Sequence, residues 1–224
     1  MTDIDLDTQR RDLAQAMLAH VPFDGWSWAA LHGAAADLGL DKVDAANAFP
    51  EGPTGAIRVF STEADYAMLV ALEDYDLDAM RVRDRILTAI RVRLEQNEAH
   101  KEAVRRALSV LALPGNAALG TRLLYRTVDA IWSAAGDTSV DFNFYSKRAI
   151  LAGVYSATLM YWLEDASEGH EATWSFLEKR LDESVRIGGA LGKQVKAITA
   201  IPGRVARMLP EWPGRRRSFA DLAD

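Results

Sequence analysis

The chain has no cysteine among its 224 residues. That absence excludes a disulfide framework, a thiolate zinc site and a cysteine nucleophile, and it is compatible with a reducing cytoplasm. Histidine is scarce as well: His20, His32, His100 and His170 are the four present. None has a partner histidine at helical spacing, and none follows a glutamate by three positions, so the Glu-x-x-His motif of di-iron bundle enzymes is missing. Each reads as a surface or cap residue, and Glu168 beside His170 is too small a group to hold a metal. No glycine-rich phosphate loop is present, because Gly188-Gly189-Ala190-Leu191-Gly192 follows no strand and lacks a Lys-Ser/Thr ending. No Gly-x-Ser-x-Gly elbow occurs either. The acidic run from Glu73 to Asp78 lacks the glycine and ligand spacing of a calcium loop and reads as a solvated helix junction. No catalytic residue, metal ligand or cofactor motif emerges, and the expectation is that the chain is not an enzyme.

A basic excess is missing too. The net charge is −6 at pH 7, which argues against a general nucleic-acid binder. The longest uncharged apolar run, Ala149 to Leu163, falls short of the roughly 18 residues that span a bilayer. Met1-Thr2-Asp3-Ile4-Asp5-Leu6-Asp7 is acidic and follows neither a signal-peptide nor a transit-peptide pattern. The chain therefore reads as soluble or attached to a membrane surface.

What is present is helical periodicity. Residues are 49% hydrophobic, enough for a sizeable core. Leu6 to Ala19 places apolar residues on one face, and Pro22-Phe23-Asp24-Gly25 breaks it. Ser27 can cap a helix over Trp28 to Leu38, which Gly39 ends; Asp41 can cap a short third helix to Phe49. Pro50-Glu51-Gly52-Pro53 is a breaker. Two long helices follow, about Thr54 to Tyr75 and Leu77 to Gln96, the second with Arg81, Arg83, Arg85, Arg91 and Arg93 on its outer face. Another helix stops at Pro114-Gly115-Asn116. Ala117 to Ala135 is next, ended by Gly136. Thr138 or Ser139 can cap a helix from about Val140 to Glu164, and Glu171 to about Ile187 follows. No stretch alternates at period two. The expected class is all-α, with about ten helices: a small helix-turn-helix-like part over residues 1–50, then a larger bundle over residues 51–190.

This layout is similar to the TetR family of repressors, which pairs a small DNA-binding part with a ligand-holding bundle. A ligand-responsive transcriptional regulator is the alternative reading. Yet the candidate recognition helix, Asp41 to Phe49, holds two carboxylates against one lysine and would repel phosphates. No nucleic acid is expected as a partner. The bundle is rich in large apolar residues such as Leu123, Trp132, Tyr155, Met160, Trp162 and Trp174. Most of these belong to an ordinary core, but a bundle of this size could also enclose an apolar ligand.

One segment is distinctive: Asp129-Ala130-Ile131-Trp132-Ser133-Ala134-Ala135-Gly136-Asp137-Thr138-Ser139-Val140-Asp141-Phe142-Asn143-Phe144-Tyr145-Ser146-Lys147-Arg148-Ala149. It resembles the core signature of the coenzyme Q biosynthesis protein nine family. The flanks, Arg106 to Pro114 before it and Thr173 to Arg180 after it, fit as well. The likeness covers about Lys101 to Ile187 and extends weakly to Gly25-Trp26-Ser27. The resemblance implies a TetR-like fold, a homodimer, and a lipid-binding accessory role in ubiquinone biosynthesis without DNA binding. It implies a bound isoprenoid or quinone lipid and a partner, the di-iron hydroxylase acting on demethoxyubiquinone. The partner-binding surface it implies maps onto Asp129, Ile131, Asp141, Asn143, Phe144, Tyr145 and Arg148. Phe144 stands where many relatives carry tryptophan, so the aromatic contact survives without the indole N–H.

Residues 191–224 read as a basic amphipathic segment. Lys193, Lys196, Arg204 and Arg207 accompany Ile198, Ile201, Val205, Met208, Leu209 and Trp212. Such a segment suits an anionic membrane surface, and the resemblance implies that it docks there. The expected location is cytoplasmic, peripheral on the inner membrane of a bacterium.

Overall fold

Helix caps written into the sequence set most of the architecture in the computed structural model, which describes residues 3–137 and 142–184. The helices are α1 (Asp3–Asp24), α2 (Trp28–Asp37), α3 (Lys42–Ala48), α4 (Pro53–Leu72), α5 (Val82–Glu95), α6 (Lys101–Leu111), α7 (Ala117–Ala134) and α8 (Phe142–Glu164). A further helix, α9, covers residues 171–184, and no strand occurs among the described residues. The expected cap at Thr138 or Ser139 lies outside them.

Ser27 caps α2 by accepting from the Ala30 N–H. Asp41 opens α3 with a capping box, in which Asp41 accepts from the Val43 and Asp44 N–H groups and Asp44 accepts from the Asp41 N–H. Between the two helices Gly39 adopts φ +70, a left-handed turn that a side chain disfavours. Pro53 occupies the first turn of α4, where its missing N–H costs nothing. α7 ends at Gly136 (φ +82), and the Arg85 guanidinium donates to the Ala135 carbonyl there. A cation at the negative end of a helix is stabilising.

Two boundaries differ from the sequence reading. α1 runs through Pro22 to Asp24. Near a helix end proline forfeits only its own bond, and Gly25 N–H still reaches the Val21 carbonyl at 2.9 Å. The helix expected over Leu77 to Gln96 is instead a 3₁₀ turn at Leu77–Ala79 followed by α5. Asp76 caps that turn through the Ala79 N–H, and Met80 and Arg81 are extended.

The buried side chains form two clusters. The first joins α1, α2 and α3 to the start of α4 and to α6, with Leu13, Met17, Leu31 and Phe49 fully enclosed. The second lies among α4, α5, α7, α8 and α9, around Met68, Ile90, Ile131, Trp162 and Leu177. α4 serves both, with Ile57 in one and Met68 in the other. Burying each of these side chains contributes roughly 1.5–3 kcal/mol. No single helix among the described residues is long and apolar enough to cross a membrane.

Candidate functional site

A cavity of about 320 Å³ opens between the two clusters, walled by α4, α5, α6, α7 and α8. Its walls are largely aliphatic, with Ile57, Leu94, Val104, Leu108 and Leu123 among them. Phe60, Tyr155 and Trp162 add aromatic faces. This volume falls at the lower end of small-molecule sites, which run to about 1,000 Å³.

Polar groups gather on one side of the cavity. Arg93 (7% exposed) donates through Nε to Asp65 Oδ1 at 2.9 Å, and Thr127 Oγ1 donates to the same oxygen at 2.9 Å. Asn97 Nδ2 donates to the Arg93 carbonyl at 2.9 Å. Asp65 Oδ2 has no hydrogen-bond partner, and Arg126 Nε stands 3.9 Å from it. Burial raises the Tyr155 phenol above its ordinary pKa, with Arg93 lowering it and Asp65 raising it. Arg93 was expected on the solvated face of its helix; it is instead a buried residue, because its position on α5 turns toward α4.

Trp162 is fully buried and lines the cavity, yet its indole N–H has no partner. Lys101 Nζ sits 4.7 Å over its ring, and the His170 ring stands edge-on at 6.2 Å. His170 adopts φ +57, rare for a residue with a side chain, and its Nε2 lies 2.8 Å from Glu98. Beside it, Asp165 accepts from the Ser167 N–H and from the Thr173 N–H and hydroxyl, at 2.8, 2.9 and 2.6 Å. Burial works against its charge, but those bonds prevail and hold its carboxyl well below the usual carboxylate range. Among the described residues no group of three or more His, Asp or Glu side chains is arranged to hold a metal ion.

The second feature lies where α7 meets α8. Arg148 is 3% exposed, and donates to Asp129 at 2.6 Å and to Asp137 at 3.2 Å. Its guanidinium lies 3.4 Å from the centre of the Phe144 ring, a close cation–π contact. Phe144 meets Tyr145 edge-on at 5.1 Å, and Tyr145 is 66% exposed. The structure thus brings Asp129, Phe144, Tyr145 and Arg148 together. Ile131 is a correction: it is fully buried beneath α7, so it supports the surface and cannot touch a partner. Asp141, the Asn143 side chain and the membrane-facing positions from Lys193 to Trp212 lie outside the described residues. Asp137 is a member that sequence reasoning missed; its place one residue after Gly136, at a helix end, was the available signal.

Residues 117–188 match the family model described as COQ9. The chain is 35% identical to the ubiquinone biosynthesis protein COQ9, mitochondrial, of Rattus norvegicus, over 81% of this chain and 60% of that protein. It is 35% identical to the protein of the same name from Homo sapiens, over 81% of this chain and 59% of that one. The probable ubiquinone biosynthesis protein coq9 of Dictyostelium discoideum is 25% identical over 75% of this chain. The chain spans about three-fifths of the length of the first two relatives. In structure it is similar to a TetR transcriptional regulator from Nitrosomonas europaea ATCC 19718, with TM-score 0.65 and 18% identity, over 80% of this chain and 98% of that one. At that identity the likeness speaks for the fold alone. The chain is similar to the COQ9 proteins over four-fifths of its length, and its all-α fold is TetR-like.

Proposed function

We propose that this protein is a non-catalytic, lipid-binding accessory protein of ubiquinone biosynthesis. It holds an isoprenoid quinone intermediate and presents it to a partner di-iron hydroxylase at the membrane. The observation that carries this reading is the apolar cavity between the two core clusters, in a chain related to COQ9. A cavity this size accommodates a ring and a few isoprene units, so much of a long tail remains outside.

The partner docks on the surface of Tyr145 and Phe144. An exposed aromatic braced by an arginine has the composition of an interface hot spot. Tyr145 and Met160 are 15 residues apart on α8, which places the docking surface and the cavity rim about 22 Å apart. The basic segment from residue 191 attaches the chain to the membrane, and the chain acts as a homodimer. What the protein contributes is capture and positioning; bond chemistry belongs to the partner. The alternative of a ligand-responsive repressor finds little support, because Asp41 and Asp44 at the start of α3 would face DNA phosphates.

The test is extraction. Liposomes carrying a prenylated quinone are mixed with the full chain and spun down. The proposal expects quinone in the supernatant in proportion to protein, and less sedimented protein once residues 191–224 are removed. A supernatant free of quinone at any protein concentration overturns the carrier role. Equal sedimentation of full-length and shortened chains overturns the membrane role.

A further inference from the structure

The cavity is polarised in the direction opposite to that of a usual lipid pocket. Its enclosed side includes the polar side chains of Arg93, Asn97, Thr127, Tyr155 and Trp162 beside Ile57, Leu94 and Leu123, each no more than 7% exposed. Its outer side is formed by Leu111, Ala112, Leu124, Leu159 and Met160, all apolar and partly or fully open to solvent. The buried polar side chains therefore gather on the enclosed side, and the rim is largely apolar, with Ser61 and Ser156 its partly exposed polar members.

Most of the deep polar groups are already paired. Arg93 and Thr127 are occupied with Asp65, and Asn97 with a backbone carbonyl. The Trp162 N–H is not. The indole is fully buried, with Lys101 over its face and His170 at its edge, so water does not reach its N–H from the surface. A buried donor without an acceptor costs roughly 1–3 kcal/mol. An isoprenoid tail in this position would leave that cost in place. An oxygen on a ring would remove it.

We propose that the cavity takes its ligand ring first, with a ring oxygen accepting from Trp162 Nε1 and the isoprenoid tail leaving past Leu124 and Met160. This rests on the carrier role proposed above. Trp162 then selects for an oxygenated ring against a plain isoprenoid or an acyl chain. The ring is sheltered in the held state, far along α8 from Tyr145, so capture and delivery are separate steps: the ring must withdraw before the partner can act on it.

Three probes separate the possibilities: a dimethoxy-methyl-benzoquinone with two isoprene units, the same ring without a tail, and squalene. Binding to the full chain is measured for the parent, Trp162→Phe and Met160→Glu. Trp162→Phe keeps the aromatic packing and removes the donor. It is expected to weaken both quinones about tenfold and leave squalene unchanged. Met160→Glu, at a 58% exposed site that tolerates change, is expected to weaken the tailed quinone and spare the tail-less ring. A resin coupled through the tail end should retain the parent chain, and one coupled through the ring should not.

Equal quinone affinity in the parent and a folded Trp162→Phe, or retention on the ring-coupled resin, overturns the orientation while the carrier role stands. If Trp162→Phe melts early by circular dichroism, Met160→Glu decides: loss of the tail-less ring with the tailed quinone spared overturns it. Squalene bound more tightly than either quinone overturns the selectivity. A parent chain that binds no quinone in any form overturns the carrier role and the orientation together.

Discussion

Arg93 and Arg148 are buried to a similar degree, at 7% and 3% exposure, yet their surroundings differ. Arg93 has one close carboxylate, Asp65, itself 3% exposed, and both sit deep between α4, α5 and α7. Arg148 has two, Asp129 and Asp137, and its guanidinium faces an aromatic side chain at the surface. The first arrangement fixes helices around the cavity. The second braces the partly buried Phe144, against which the exposed Tyr145 packs. A buried arginine therefore says little about function until its neighbours are known, and removing the two should give different phenotypes.

The largest effect is expected for Arg93→Met. It leaves the buried Asp65 carboxylate with the Thr127 hydroxyl and the more distant, half-exposed Arg126 alone, and losing the close partner of a buried pair costs about 3–5 kcal/mol. Chemical denaturation should show it, and Asp65→Leu added to Arg93→Met should recover much of the loss. A single variant as stable as the parent would mean the pair contributes nothing to the core. Arg148→Met is next, at about 2–3 kcal/mol, because Asp129 is 31% exposed and can turn to water, while the buried Asp137 carboxylate keeps Lys147 at 2.8 Å. Its second consequence is specific: partner binding should fall further than the lost stability explains, because Phe144 loses its brace.

Asp165→Asn tests the turn between α8 and α9 with a pH dependence. The folded carboxyl is held below its ordinary value, so its contribution is fully present above about pH 4, the unfolded value. It is lost as pH falls further, toward the folded value. The stability gap between parent and variant should be constant from neutral pH down to that point and close below it. A gap that closes already between pH 7 and pH 5 would assign the dependence to another group. The smallest stability change is expected for Tyr145→Ala, within about 0.5 kcal/mol, since the side chain is exposed. On the docking role proposed above, its effect on binding a di-iron hydroxylase should nonetheless reach about 2 kcal/mol. Unchanged affinity would remove this surface from the account.

The sequence made the helix starts legible, because Ser27, Asp41 and Pro53 carry their chemistry within a few residues of the position they cap. Gly39 and Gly136 were legible for the same reason. The Asp65–Arg93 pair was not. Its members are 28 residues apart, and Arg93 looks like one more cation in the arginine-rich helix α5. Nothing local separates it from Arg91, which pairs with Glu95 on the surface. The break at Met80–Arg81 was missed because the apolar spacing continues across it, while Asp76 redirects the backbone. The aromatic pair at Phe144 and Tyr145 came from resemblance, and Ile131 came with it although its side chain faces the core. The cavity was legible only as composition: Trp162 and Trp174 look alike in sequence, but Trp174 donates to the Gly169 carbonyl and Trp162 to nothing.

The central claim is that the cavity is filled by a prenylated quinone. The most direct measurement is native mass spectrometry, with lipid identification, on protein purified from its own host. The account predicts a co-purifying ubiquinone precursor, released when Met160→Glu is introduced. A chain that arrives empty and stays empty when offered such lipids would contradict it and leave partner docking alone.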